Sequence, residues 1–260
     1  KVVADEPLGL RPEMTTSITR VASTRFAQKS RPLRLWTEGT VFKCKESTEG
    51  VTHIEENIQC GIELFGIEGI EAEMELLSVL INSLKVLDIG ISNKPTLLIG
   101  HALLMDLLLT GFRPENRQAI KTQLSKFNLI DLSKLKISLE EQQLSKNLLF
   151  SRGKPQIILN QLKQIYGNNY IITNLERLFS AINPLAEKHN IKIQLDPTFV
   201  PGYHLYNGLV FEFVCQSETS ATVIARGGRY DEVVKRFSSN ESKAFGVGFS
   251  FAIDQIRDLI

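Results

Sequence analysis

Long apolar runs are missing from this sequence. No stretch of its 260 residues approaches the ~20 consecutive apolar positions that span a bilayer. No signal-peptide pattern is visible either. Cysteine is scarce: Cys44, Cys60 and Cys215 are odd in number, widely spaced and outside any CxxC pattern. A zinc site and a disulfide framework are therefore not implied, and three reduced thiols in a cytoplasmic protein are expected. Charge of one sign is lacking too. Thirty Lys and Arg stand against 29 Asp and Glu, for a net +1, so no nucleic-acid partner is expected. P-loop, dinucleotide and HExxH patterns do not occur. His53, His101, His189 and His204 are scattered with no Ser or Cys beside them in a catalytic context, which argues against a nucleophilic triad. No metal and no cofactor is called for.

What is present fits an ordinary globular protein: 43% hydrophobic and 23% charged residues, in a chain long enough for a sizeable core. Residues 1–260 read as one domain. The chain opens on Lys1 without an initiator Met, so a preceding segment of the natural protein is expected.

Periodicity divides the chain. Apolar spacing after Thr15 predicts a helix over 15–28. LRLWTEGTVFK (33–43) and IQCGIELFG (58–66) read as strands, with polar 46–56 a loop between them. EAEMELLSVLINSLKVL (71–87) is the clearest helix, its first turn rich in Glu. TLLIG (96–100) is a strand, and residues 101–165 read as a helical insertion. A helix over 174–189 carries Pro184 as an expected kink. IKIQL, YNGLVFEFV and SATVIAR are β runs, DEVVKRF a short helix, AFGVGFS a strand, and FAIDQIRDLI a closing helix. Strands cluster towards both ends and helices in the middle, which predicts α+β with a largely antiparallel sheet flanked by helices.

Polar residues in strand contexts mark the candidate site. Gln59 and Glu63 are an even step apart and share a strand face. Glu63 either faces solvent or, turned inward, needs a partner. Glu13 and Thr15 either join such a site or cap the helix beginning near residue 15. Tyr203, His204, Tyr206 and Asn207 lie between a Pro-Gly turn and an apolar strand. Gly227 and Gly228 follow a β run, where bare backbone admits close approach. Asp231 is placed to cap the helix after them.

LRPEMT, RLWTEGTVFK, NIQCGIELFG, YHLYNGLVFEF, ARGGRYDEVVKRF and AFGVGFSFAIDQI occur in that order. Together they resemble the core of histidyl-tRNA synthetase and its paralogue, the regulatory subunit of ATP phosphoribosyltransferase. The resemblance runs from about residue 8 to 255 and is weakest over 101–165. It implies a class II aminoacyl-tRNA synthetase fold. It also implies histidine binding by Glu13, Thr15, Gln59, Glu63 and Tyr206, with Gly227 and Gly228 beside them. Carboxylates would answer an ammonium and an imidazole N–H, while neutral tips fix orientation.

Departures from the synthetase pattern point the other way. Adenylation needs arginines that clamp crowded phosphate charge bidentately. Lys43, Pro201 and Phe251 stand where the synthetase carries them, and Lys45 where it carries a Glu. A point-charge ammonium does not replace a planar fork. The lysines at 43 and 45 either meet a phosphate or a partner carboxylate, or belong to a solvated loop. The first class motif, at the dimer interface, is expected before residue 1, and the lack of an anticodon-binding domain after it fits the regulatory paralogue and a truncated sequence alike. The expectation is a non-catalytic, synthetase-like regulatory subunit. It would bind histidine, pair with a short-form ATP phosphoribosyltransferase catalytic subunit, and self-associate as a dimer within a hetero-oligomer. The alternatives are a divergent histidyl-tRNA synthetase core and a pure interaction module.

Overall fold

The structure, a computed structural model, describes residues 9–46, 50–199, 205–217, 220–238 and 244–260. A short helix α1 (Thr15–Ser23) leads into a long hairpin, β1 (Leu33–Glu46) and β2 (Thr52–Phe65). Helix α2 (Ile70–Val86) and strand β3 (Thr96–His101) follow. Then come α3 (Ala102–Leu109), α4 (Arg117–Ser125), α5 (Leu129–Lys134), α6 (Leu139–Phe150), α7 (Pro155–Tyr166) and α8 (Tyr170–Lys188). The chain closes with β4 (Lys192–Leu195), β5 (Leu209–Gln216), β6 (Ala221–Arg229), α9 (Asp231–Phe237), β7 (Gly246–Ala252) and α10 (Ile253–Arg257).

The strands form one seven-stranded sheet in the order β1-β2-β7-β6-β5-β3-β4. Every neighbouring pair is antiparallel except β3 with β4. This is the mixed, mostly antiparallel α+β sheet expected. Helices α2 and α8 pack against each other. The buried stripe of α2 includes Leu76, Leu80 and Leu84, at helical spacing. The helical stretch after β3 is present as α3 to α7, and Leu104, Leu108, Ile120, Leu148 and Leu162 join the main core rather than a separate one.

Several boundaries differ from expectation, α1 ending at Ser23 rather than 28 and α8 beginning at Tyr170 rather than 174 among them. The polar segment 46–56 is not all loop, because strand pairing extends into it from both sides: β1 and β2 pair from Leu33↔Phe65 out to Glu46↔Thr52. Its arm is exposed, so apolar alternation is lost there, and Lys45 Nζ instead meets Glu55 Oε2 across the strands at 2.8 Å. Strand β6 runs through Gly227 and Gly228 to Arg229 rather than ending before them. Strand β7 continues through Phe251 and Ala252, so the last helix begins at Ile253. Helix α8 continues through Pro184 to Lys188.

Register sorts side chains between the two sheet faces. One row runs Ile62, Phe249, Gly227, Phe211, Ile99 and faces the main core. The next runs Gly61, Ser250, Arg226, Glu212 and faces the other way. Helices α1 and α9 flank that second face, together with the smaller cluster around Phe65 and Tyr230.

Candidate functional site

The second face carries a cavity of about 940 Å³. Its walls include Glu13, Thr15, Lys43, Gln59, Tyr206 and Arg226, with Gly227 in the lining as well. The sheet supplies the floor, α1 and α9 the sides. Most of the residues picked out from the sequence therefore meet in one place, although Glu13 and Gly227 are more than two hundred positions apart.

Glu63 lies behind the cavity wall at Thr15 and is only 2% exposed. Its even spacing from Gln59 holds, and the solvent-facing alternative does not. Thr15 Oγ1 donates to Glu63 Oε1 at 2.8 Å. The Tyr230 hydroxyl donates to Oε2. Burial pushes the Glu63 carboxyl up to about 7, the two hydrogen bonds pull it down, and the nearby Glu13 charge adds to the rise. Space for the carboxylate comes from Gly248, directly opposite in β7, where a Cβ would overlap Glu63 Oε2. Gly228 does the same for Tyr206, whose ring carbon Cδ1 would lie 2.7 Å from a Cβ there. The paired glycines thus admit the protein's own side chains on both faces, since Gly227 lies against Phe211 and Phe249.

Glu13 keeps a structural duty. Its carboxylate accepts from the Thr16 backbone N–H at 3.0 Å, satisfying an open donor of the α1 first turn. Thr15 is turned away from capping and into the Glu63 pair. Asp231 does not cap α9 as expected. It accepts instead from the Gly246 N–H at 2.9 Å and from Arg229 Nη1 at 3.2 Å, tying β6 to β7.

Cations line the cavity from the sheet. Lys43 lies on the cavity face of β1, where burial, Arg226 and Lys45 all lower its pKa. Arg226 Nε donates to Glu212 Oε1 at 2.7 Å across the β5–β6 pair. Arg226 and Tyr230 were not singled out from sequence alone. Period-two spacing from Gly228 was the available signal for Arg226.

Pro201 lies outside the described residues. Phe251 does not face the cavity: it is 9% exposed, pairs with Ala225 and Cys60, and stacks edge-on with Phe249 in the core. An arginine placed there would bring an unpaired charge into that core. Phe251→Arg is expected to cost more than about 3 kcal/mol of stability, as read by urea unfolding.

Behind the sheet, a second cavity of about 350 Å³ is lined by Glu73, His101, Asn207, Arg229 and Asp231 among others. His101 Nδ1 accepts from the Leu103 N–H at 3.2 Å, which caps α3. Burial, then Arg229, pushes its pKa down to about 4, so the ring stays neutral there. Among the described residues, no three His, Cys, Asp or Glu side chains gather as a metal site, all three cysteines are free thiols, and no helix is long and apolar enough to cross a membrane.

Comparison with known proteins places the chain. A curated relative from Prochlorococcus marinus (strain MIT 9211), named ATP phosphoribosyltransferase regulatory subunit, is 49% identical over 259 residues, covering 100% of this chain and 66% of that relative. The chain thus spans just under two thirds of the length of such relatives. A solved ATP phosphoribosyltransferase regulatory subunit/histidyl-tRNA synthetase from Bacillus halodurans superposes with TM-score 0.77 at 23% identity, covering 96% of this chain and 64% of that one. The ATP phosphoribosyl transferase complex of Thermotoga maritima gives a TM-score of 0.65 at 18% identity, covering 95% of this chain and 86% of that one. Both share the class II fold. The family model described as histidyl-tRNA synthetase matches residues 1–256, and the chain belongs to that family.

Proposed function

We propose that this protein is a non-catalytic regulatory subunit of ATP phosphoribosyltransferase, the first enzyme of histidine biosynthesis, and that its cavity binds histidine. The observation that carries the reading is the division of the cavity. At the Thr15 wall the buried Glu63 is held by hydrogen bonds from Thr15 and Tyr230. The position where a synthetase would carry an adenylation arginine, Phe251, points into the core instead. The names borne by relatives such as the 49% identical one agree with it. The subunit works in the cytoplasm beside a short-form catalytic subunit, which alone joins ATP to phosphoribosyl pyrophosphate, and it self-associates within the hetero-oligomer. Histidine inhibits by binding the two states of that complex with different affinity.

Calorimetric titration of the full-length protein with histidine, then with ATP and magnesium, tests the reading. Histidine binding is expected without histidine-dependent ATP–pyrophosphate exchange. Added to the catalytic subunit, the protein is expected to raise phosphoribosyl transfer and make it histidine-sensitive. Exchange at a synthetase-like rate would favour a divergent histidyl-tRNA synthetase. Histidine binding with no effect on the transferase would leave an interaction module.

A further inference from the structure

We propose that Arg226, braced by Glu212 and seconded by Lys43, is the clamp for the carboxylate of the amino acid in this cavity. The inference rests on the histidine reading above and adds a residue to it. Glu13 lines the cavity with the buried Glu63 close to it, and Lys43 and Arg226, the latter beside Glu212, line it from the sheet. A zwitterion with an N–H-bearing side chain has the matching arrangement, donors at one end and an anion at the other.

Register sets the span. Glu63 is opposite Gly248 in β7, and Arg226 is opposite Ser250 two residues further along the same strand. Two strand spacings and two residues separate their Cα atoms, a diagonal of about 12 Å. Side chains reaching inward from both ends leave room for a small amino acid between them. The space over Gly248 is taken by the Glu63 carboxylate itself, which brings it along β7 towards Ser250 and the cavity.

Arg226 is prepared for the task. Glu212 Oε1 takes Nε at 2.7 Å, which fixes the guanidinium plane from its inner edge. The two Nη groups make no hydrogen bond or ion pair to a described residue. They form the paired edge that grips a carboxylate bidentately. Lys43 makes no ion pair among the described residues, and its depressed pKa reflects burial and then the nearby charge of Arg226. A phosphate would satisfy the same edge, so the test separates the two anions.

Histidine and histamine, which lacks the carboxylate, are titrated into the full-length protein and its Arg226→Gln, Arg226→Lys and Lys43→Met variants. Melting temperatures confirm folding. The wild type is expected to prefer histidine. R226Q is expected to lose about 10- to 100-fold in histidine affinity, as for one charged hydrogen-bonded contact, and to leave histamine unchanged. R226K retains part of the preference, and K43M, on a different strand, loses a smaller part. Equal loss of both ligands in R226Q would mean that Arg226 only shapes the cavity, and would overturn the assignment. So would unchanged histidine binding with loss of ATP–magnesium binding, which would make the edge a phosphate site. A wild type that binds both ligands equally overturns the clamp alone. A wild type that binds neither overturns the histidine reading itself.

Discussion

Replacing Glu63 by glutamine is expected to weaken histidine binding by about 100-fold while making the ligand-free protein more stable above neutral pH. The binding loss follows from removing a charged acceptor from the buried end of the cavity, where interactions are little screened. The gain in stability follows from linkage. Burial raises the Glu63 pKa from 4.5 to about 7. A carboxyl with a raised pKa contributes most to stability below its unfolded pKa, and that contribution is lost as pH rises through the folded value. A shift of this size corresponds to something on the order of 3 kcal/mol between pH 4 and pH 8. Glutamine keeps an acceptor for Thr15 and carries no charge to bury. Tyr230 can turn its hydroxyl to accept from the amide. The E63Q and wild-type melting temperatures should therefore converge near pH 4 and separate by several degrees at pH 8, at about 2–4 °C per kcal/mol for domains of nearly this size. Parallel pH curves for the two proteins would show that the Glu63 pKa is the same in the folded and unfolded chain, and the cost of burying its charge would fall with that result. A buried acid whose ionised form costs the fold free energy is explained by a ligand that needs it.

Much of this pocket was legible because strand periodicity is simple. Two residues an even step apart share a face, so Gln59 and Glu63 were placed together correctly. The decision between core and solvent for Glu63 depended on residues far away: Thr15 from α1 and Tyr230 from the end of β6 supply its hydrogen bonds. No local pattern announces such contacts. The hairpin arm 46–56 was misread for a different reason. With both of its sides solvated, its sequence carries cross-strand charge pairing instead of alternation, and polar residues beside a glycine read as a loop. Phe251 was matched by its place in a motif, but a motif position does not say which way a side chain points. The strand continues past it, and parity turns it towards Phe249 and the core. Arg226 was missed because it ends an apolar run and looked like the strand's exit, whereas β6 continues to Arg229.

Arg229→Met is expected to destabilise the protein by about 3–5 kcal/mol, more than Glu73→Gln. Arg229 lies three residues beyond Arg226 and therefore on the opposite face of β6. Its Nε and Nη2 donate to the two oxygens of Glu73, each at 2.6 Å, and Nη2 also reaches the Gly69 carbonyl at 2.6 Å. Nη1 donates to Asp231. The arginine and Glu73 side chains are each only 10% exposed, so the pair joins α2 to the end of β6 largely shielded from water. Removing the arginine leaves two buried carboxylates, Glu73 and Asp231, facing each other without a cation. Removing the Glu73 charge leaves Arg229 still paired with Asp231 and the Gly69 carbonyl, hence the smaller cost. Burial already raises the Asp231 pKa and Arg229 pulls it back, so losing the arginine raises it further. The R229M deficit should accordingly be greatest at high pH and shrink as the carboxyls take up protons. A double variant, Glu73→Leu with Arg229→Met, should recover part of the loss, because it no longer buries the Glu73 charge. Urea unfolding of the three variants at pH 6 and pH 9 reads all of this. If R229M and E73Q cost the same, Asp231 is not a partner of consequence. Set beside the Arg226 variants, the result also separates the two sheet faces. Arg226 changes should alter which ligand is held with little change in stability. Arg229 changes should alter stability, with histidine affinity nearly kept wherever the protein remains folded.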